Sequence, residues 1–155
     1  MKEIALTKGS IAIVDDIDFH WLSQVKWYLD VQRYAATDMF GGRRTKVKVH
    51  MHRLILLAPN TATVDHINHD TLDNRRANLR LATQSEQNGN RLKFFGTSRF
   101  KGVHRRQDGR KWCAQCHHVH LGSFESEIDA ARAYNKAAQE YWGEYALLND
   151  ITGET

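Results

Sequence analysis

The chain has 155 residues, of which 41% are apolar and 26% charged, and a formal net charge of +4. That composition supports one ordinary folded domain or two small ones and excludes a disordered chain. Two cysteines exclude a disulfide framework, and the longest apolar run, Leu54 to Ala58, is too short to span a bilayer.

Taken in chain order, residues 1–50 read as short strands around one helical turn. "SIAIVDD" alternates as a strand does and "DFHWLSQ" has helical spacing, while "KWYLD" and "TKVKVHM" are strand-like. "FGGRR" reads as a Gly-rich hairpin tip carrying two cations, Arg43 and Arg44. His52 to Leu57 can form one short helix, stopped by Pro59. "TVDHI" is strand-like, "NHDTLDN" is turn chemistry, and "NLRLAT" is a second strand. "SEQNGNRL" opens a helix, with Thr83 or Ser85 as its cap.

"KFFGTS", residues 93–98, reads as a linker. "FKGVHRRQDGRKWCAQCHHVHLGSF" follows, with glycines at 102, 109 and 122, and reads as three short antiparallel strands. "SEIDAARAYNKAAQEYW" is an amphipathic helix with a capping-box-like Ser126–Asp129 pair. Residues 93–112 carry seven basic side chains and one acid, whereas residues 123–155 carry two bases and seven acids. Such segregation suits a phosphate-facing element beside one turned away, or simply two solvated faces. No secretory leader opens the chain, so a reducing cytoplasm is the expected location.

Two clusters carry candidate chemistry. In "VDHINHDTLDNRRANLR", Asp65 can hold a hard divalent ion and a neutral His66 can take a proton from water near pH 7. Neighbours within a strand point to opposite faces, so the two share a site only where the strand ends. The polar residues also suit a plain hydrogen-bonded turn. In "WCAQCHHVH", Cys113 and Cys116 sit at an odd offset on a strand and face opposite ways. That spacing disfavours a shared zinc or an attached haem and favours packing, with Cys116 in the core.

"MHRLI", "VDHIN.D.LDNR..NLR.AT.SE" and "N.NR", over residues 50–92, resemble the HNH endonucleases of phages and mobile introns. The resemblance implies a ββα-metal fold around one divalent ion, Mg²⁺ or Mn²⁺. It implies His66 as general base, Asp65 as strand-borne metal ligand, and Asn78 as the residue that orients the histidine and braces the loop. Asn74 and Arg75 would stabilise the loop. His52 would support the site or a phosphate, or pack between strand and helix. The second ligand position, an Asn in the family, is Gln87 here, and Asn88 would need the helix rotated by roughly 100° to replace it. The absence of cysteine from residues 50–92 implies no structural zinc.

"FKGVHRR", "KW.AQ", "LGSFES", "AARAYNKAA" and "G.YALLN" resemble the Apetala-type, or ethylene-response-factor, DNA-binding domain. That implies a three-stranded sheet, backed by one helix, set in the major groove. Lys101, His104, Arg106, Gln115, His117 and His120 match its DNA-facing positions; Arg110, by its charge, would meet phosphate or simply be solvated. Several of these positions are Arg or Trp in plant members, so base preference does not transfer.

The sequence therefore predicts an α+β protein. A β-rich brace (1–50), expected to add DNA contacts through Arg43 and Arg44, leads into a ββα-metal module (50–92) within a domain 1–92. A linker (93–98) and a DNA-binding domain (99–150) follow. The expected activity is metal-dependent cleavage of double-stranded DNA by a homing-type or nicking enzyme, with no membrane partner. A DNA-binding regulator with a decayed nuclease module is the alternative, motivated by Gln87. A third reading, an RNA- or protein-binding factor, has no specific support.

Overall fold

The computed structural model describes residues 1–40, 45–93 and 95–152. The expected hairpin tip with Arg43 and Arg44 lies outside the described residues. The chain forms a mixed α/β protein of small antiparallel sheets and few helices, divided into two compact units, 1–84 and 85–155. No helix among the described residues is long and apolar enough to cross a membrane.

In the first unit, β1 (Lys2–Ala5) pairs with β2 (Ile11–Val14), and α1 (Asp16–Leu22) follows. β3 (Tyr28–Leu29), β4 (Ala35–Phe40) and β5 (Lys46–His50) form a three-stranded antiparallel sheet in that order. β5 runs straight into α2 (Met51–Ile55), with His50 as its N-cap. β6 (Thr63–His66) and β7 (Leu79–Ala82) form a second antiparallel pair. Ile4, Val14, Leu22, Trp27, Met51, Ile55, Val64 and Leu79 all belong to one buried cluster. The N-terminal strands and the β6–β7 pair thus bury the same core, so neither gains its full hydrophobic stabilisation alone. Trp27 anchors it, fully buried and with its indole Nε1 donating to Leu22 O at 2.8 Å.

α3 (Gln84–Asn90) follows β7 in sequence and straddles the division between the units. In the second unit β8 (Val103–Arg105), β9 (Trp112–Cys116) and β10 (Val119–Phe124) form an antiparallel sheet with β9 central. α4 (Glu127–Trp142) packs on it through Ala130, Ala131, Tyr134 and Ala138. Ser126 caps α4, its side chain accepting from Ile128 N at 3.2 Å. Asp129 does not complete a capping box; it pairs with Arg132 at 3.0 Å.

The stretch read as a linker is tied into this unit. Lys93 Nζ donates to Phe100 O and Val103 O at 2.6 and 3.0 Å, and Thr97 Oγ1 accepts from Arg105 N at 2.8 Å. Phe94 lies outside the described residues.

Candidate active site

β6 ends at His66, the position at which Asp65 and His66 can both serve one site. Asp65 stands opposite Arg80, and His66 opposite Leu79, across the β6–β7 pair. Both Asp65 and His66 are buried. The loop that follows is held by backbone bonds together with bonds from its polar side chains to backbone and to one another. Asn78 Oδ1 accepts from Asn68 N at 2.9 Å, and its Nδ2 donates to Asp73 O at 2.8 Å. Asp73 takes two bonds from Arg75, at 2.7 and 2.6 Å, and one from Asn68 Nδ2 at 2.8 Å. The Arg75 guanidinium holds the Asp73 carboxyl below the usual carboxylate range. Arg76 fastens the loop to α1, with Nε and Nη2 each 2.8 Å from Asp18.

Asn78 bonds to backbone at two points of the loop, which suits the loop-bracing part of its expected role, and fully buried Asn74 lies beside the His66 ring. Burial lowers the proton affinity of His66, while Asn74 and the carboxylates of Asp65, Asp70 and Asp73 partly offset that. The net shift is downward, leaving a neutral imidazole at neutral pH. A neutral imidazole can accept a proton, the requirement for a general base.

A wall of rings surrounds His66. His52 stands edge-on to it, with centroids 5.1 Å apart and planes at 85°. His50 stacks on His52 at 5.3 Å and 11°. Tyr34 touches all three imidazoles, at 5.5 Å from His50, 4.9 Å from His52 and 5.8 Å from His66. Asp30 closes the group: His50 Nε2 lies 3.0 Å from its Oδ2, and its Oδ1 accepts from Tyr34 N at 3.0 Å. Burial drives the His52 pKa down to about 3, helped by the neighbouring His66 and His50. Its buried Nδ1 has no hydrogen-bond partner among the described residues. Burial, then the charges of Asp30 and Asp65, raise the Tyr34 phenol. His52 was expected; Tyr34, His50 and Asp30 were not. His50, two residues before His52 at the end of a strand, carried the one usable signal.

The described residues offer a hard divalent ion a narrow set of ligands. No group of three or more His, Cys, Asp or Glu among them is arranged to hold a metal. Asp65 supplies one carboxylate beside a neutral imidazole, which fits an ion with a single strong protein anchor and oxygen ligands otherwise. Gln87 and Asn88 lie on α3, in the unit that begins at Ser85.

The second unit brings part of the expected DNA-contact set to one sheet face: His104 is the register partner of Cys113, and Gln115, two residues further along β9, that of His120. His104, Gln115 and His120 are exposed. Arg106 and Arg110 are also exposed, with Arg106 Nε 3.5 Å from Asp108. Lys101 is turned inward: its Nζ donates to Asn88 O at 3.2 Å and to Gly89 O at 2.5 Å, and burial lowers its pKa to about 8. His117 is in the β9–β10 turn rather than a strand, stacked on Tyr141 at 4.3 Å. Cys113 and Cys116 are both buried free thiols; Cys116 packs with Tyr134, Ala138 and Trp142, and Cys113 Sγ lies 3.5 Å from Ser123 Oγ.

Residues 49–89 match the HNH endonuclease family model. That span holds His50, His52, Asp65, His66, Asn74, Asn78, Arg80, Gln87 and Asn88, but not Tyr34 or Asp30. Over 153 residues the chain is 31% identical to an uncharacterized HNH endonuclease of Acanthamoeba polyphaga mimivirus, a likeness covering 93% of this chain and 77% of that protein. No solved structure matches the chain.

Proposed function

The chain belongs to the HNH endonuclease family, and from that premise we propose that it cuts duplex DNA with His66 as general base and Asp65 as metal anchor. It is a DNA endonuclease. The observation that carries the residue assignment is a buried, neutral His66 at the end of β6, next to Asp65 and steadied by Asn74. His66 takes the proton of the attacking water. Asn74 and the ring wall of Tyr34 and His52 hold the imidazole in place. Asn78 keeps the loop that carries these groups in one conformation.

HNH endonucleases generally depend on a divalent metal, and Mg²⁺ or Mn²⁺ is the proposed ion here. It would be held by Asp65, with the amide of Gln87, or Asn88 in its place, as second protein ligand. Such an ion supplies charge stabilisation to the phosphoryl and leaving oxygens. The second unit is proposed to bind duplex DNA in the Apetala-type manner through His104, Arg106, Gln115 and His120, with Arg110 on phosphate. Tethering that binding surface to the nuclease raises the effective concentration of the active site at its target, as a homing-type or nicking enzyme requires.

The test is cleavage of an end-labelled duplex with and without Mg²⁺, comparing the wild type with His66→Ala. Loss of cutting with DNA affinity nearly intact is the expected result. Cutting by His66→Ala at the wild-type rate would remove His66 from its role.

A further inference from the structure

Asp65 already carries a cation of the chain's own. Asp65 and Arg80 are partners in the β6–β7 register, so their side chains share a face of the pair. Arg80 Nε and Nη2 both donate to Asp65 Oδ2, at 2.9 and 2.8 Å. The Asp65 side chain is 8% exposed and that of Arg80 14%. We propose that Arg80 is a placeholder for the metal: it neutralises Asp65 in the metal-free protein, and a divalent ion binds only by displacing it. This inference rests on the reading of Asp65 as metal ligand.

The physical argument is one of charge. A buried carboxylate without a counter-charge is strongly unfavourable, so Asp65 needs a cation whether or not metal is bound. Arg80 meets that need through two charge-assisted hydrogen bonds onto one oxygen. A guanidinium bonded to Oδ2 sterically excludes a divalent ion from that oxygen and repels one placed on Oδ1. Metal affinity is therefore the intrinsic affinity of Asp65 reduced by the hold of Arg80. The displaced guanidinium has the fork geometry that suits a phosphate. The pair thus keeps the site closed until metal arrives.

The test is direct titration of Mn²⁺ into the full chain without DNA, by calorimetry, for wild type, Arg80→Gln, Arg80→Lys and Asp65→Asn. Arg80→Gln should bind Mn²⁺ more tightly by on the order of tenfold or more. Arg80→Lys should fall between it and wild type, because one ammonium lacks the two-pronged hold. Asp65→Asn should lose binding. Mn²⁺ should also raise the melting temperature of Arg80→Gln more than that of wild type. Unchanged affinity in Arg80→Gln, with binding lost in Asp65→Asn, overturns the placeholder and leaves Asp65 as ligand. Wild-type binding by Asp65→Asn removes the ligand assignment, and the placeholder with it. Should Arg80→Gln not fold, Arg80→Lys decides: an affinity equal to wild type overturns the proposal.

Discussion

His52 sets how the first unit responds to acid. In an unfolded chain its imidazole takes a proton near pH 6.5, whereas in the fold burial delays that to about pH 3. Above 6.5 both states are neutral at this residue and it costs nothing. Between those values the unfolded state binds the proton and the folded state does not, so acidification favours unfolding. The loss grows by about 1.4 kcal/mol for each pH unit below 6.5. From pH 7 to pH 5, His52 alone should cost roughly 2 kcal/mol, and His66, shifted the same way, adds to it. Replacing His52 by Phe keeps ring packing against Tyr34 and His50 and removes the titration. Urea midpoints at pH 7 and pH 5 should fall further for wild type than for His52→Phe; equal falls would mean His52 is not held neutral. At this scale the sequence showed the Asp65–His66 pair because the two are adjacent and lie in a distinctive spacing. It could not show Tyr34 or Asp30, which reach the site only through the turn before β4, a long-range placement with no local signature. Asn74 and Asn78 were both visible, but which amide meets the imidazole and which grips the backbone depends on how the loop closes.

Among elements, the tightest fit is that of the β8 edge on α4. Gly102 precedes β8 with φ +72°, in the left-handed region. A Cβ there would lie 2.0 Å from Tyr134 Cδ2 and 2.6 Å from Gln115 O. Rotating Tyr134 cannot relieve the clash with the Gln115 backbone oxygen, so the backbone at Gly102 would also have to move away from β9. Gly102→Ala is expected to destabilise the second unit by about 3 kcal/mol or more, from overpacking and a left-handed backbone together. Chemical denaturation followed by circular dichroism reads this, and a loss under about 0.5 kcal/mol would contradict the close approach. α4 was legible because its small and aromatic residues recur at helical spacing and Ser126 caps it. The β9–β10 turn was not. Such two-residue turns favour Asn-Gly, yet His117 and His118 adopt φ of 42° and 66° here. Gly122 sits inside β10 where the register shifts against β9.

For the whole molecule, the sequence reads as two modules joined at residues 93–98; the compact units divide after Gln84, and residues 93–98 belong to the second. A linker's polar, Gly-containing composition does not reveal that Lys93 will be drawn inward to backbone carbonyls. The same drawing-in thins the basic element: Lys93 and Lys101 bond to carbonyls, Lys111 pairs with Glu125 at 2.8 Å, and Arg105 lies over Trp112 at 4.9 Å. Counting cations along the sequence therefore overstates the charge available to DNA, and the exposed Arg106 and Arg110 carry more of it than their number suggests. The salt dependence of binding measures this directly. Each phosphate contact releases counterions and adds about 0.9 to the slope of log affinity against log salt. In a His66→Ala background, which prevents cutting, Arg106→Ala should weaken duplex binding and reduce that slope by about one contact's worth. Arg132→Ala, on the acidic helix and paired with Asp129, should leave it unchanged. An Arg106→Ala isotherm that overlays its parent at every salt concentration would take this side chain, and the sheet face proposed with it, off the DNA.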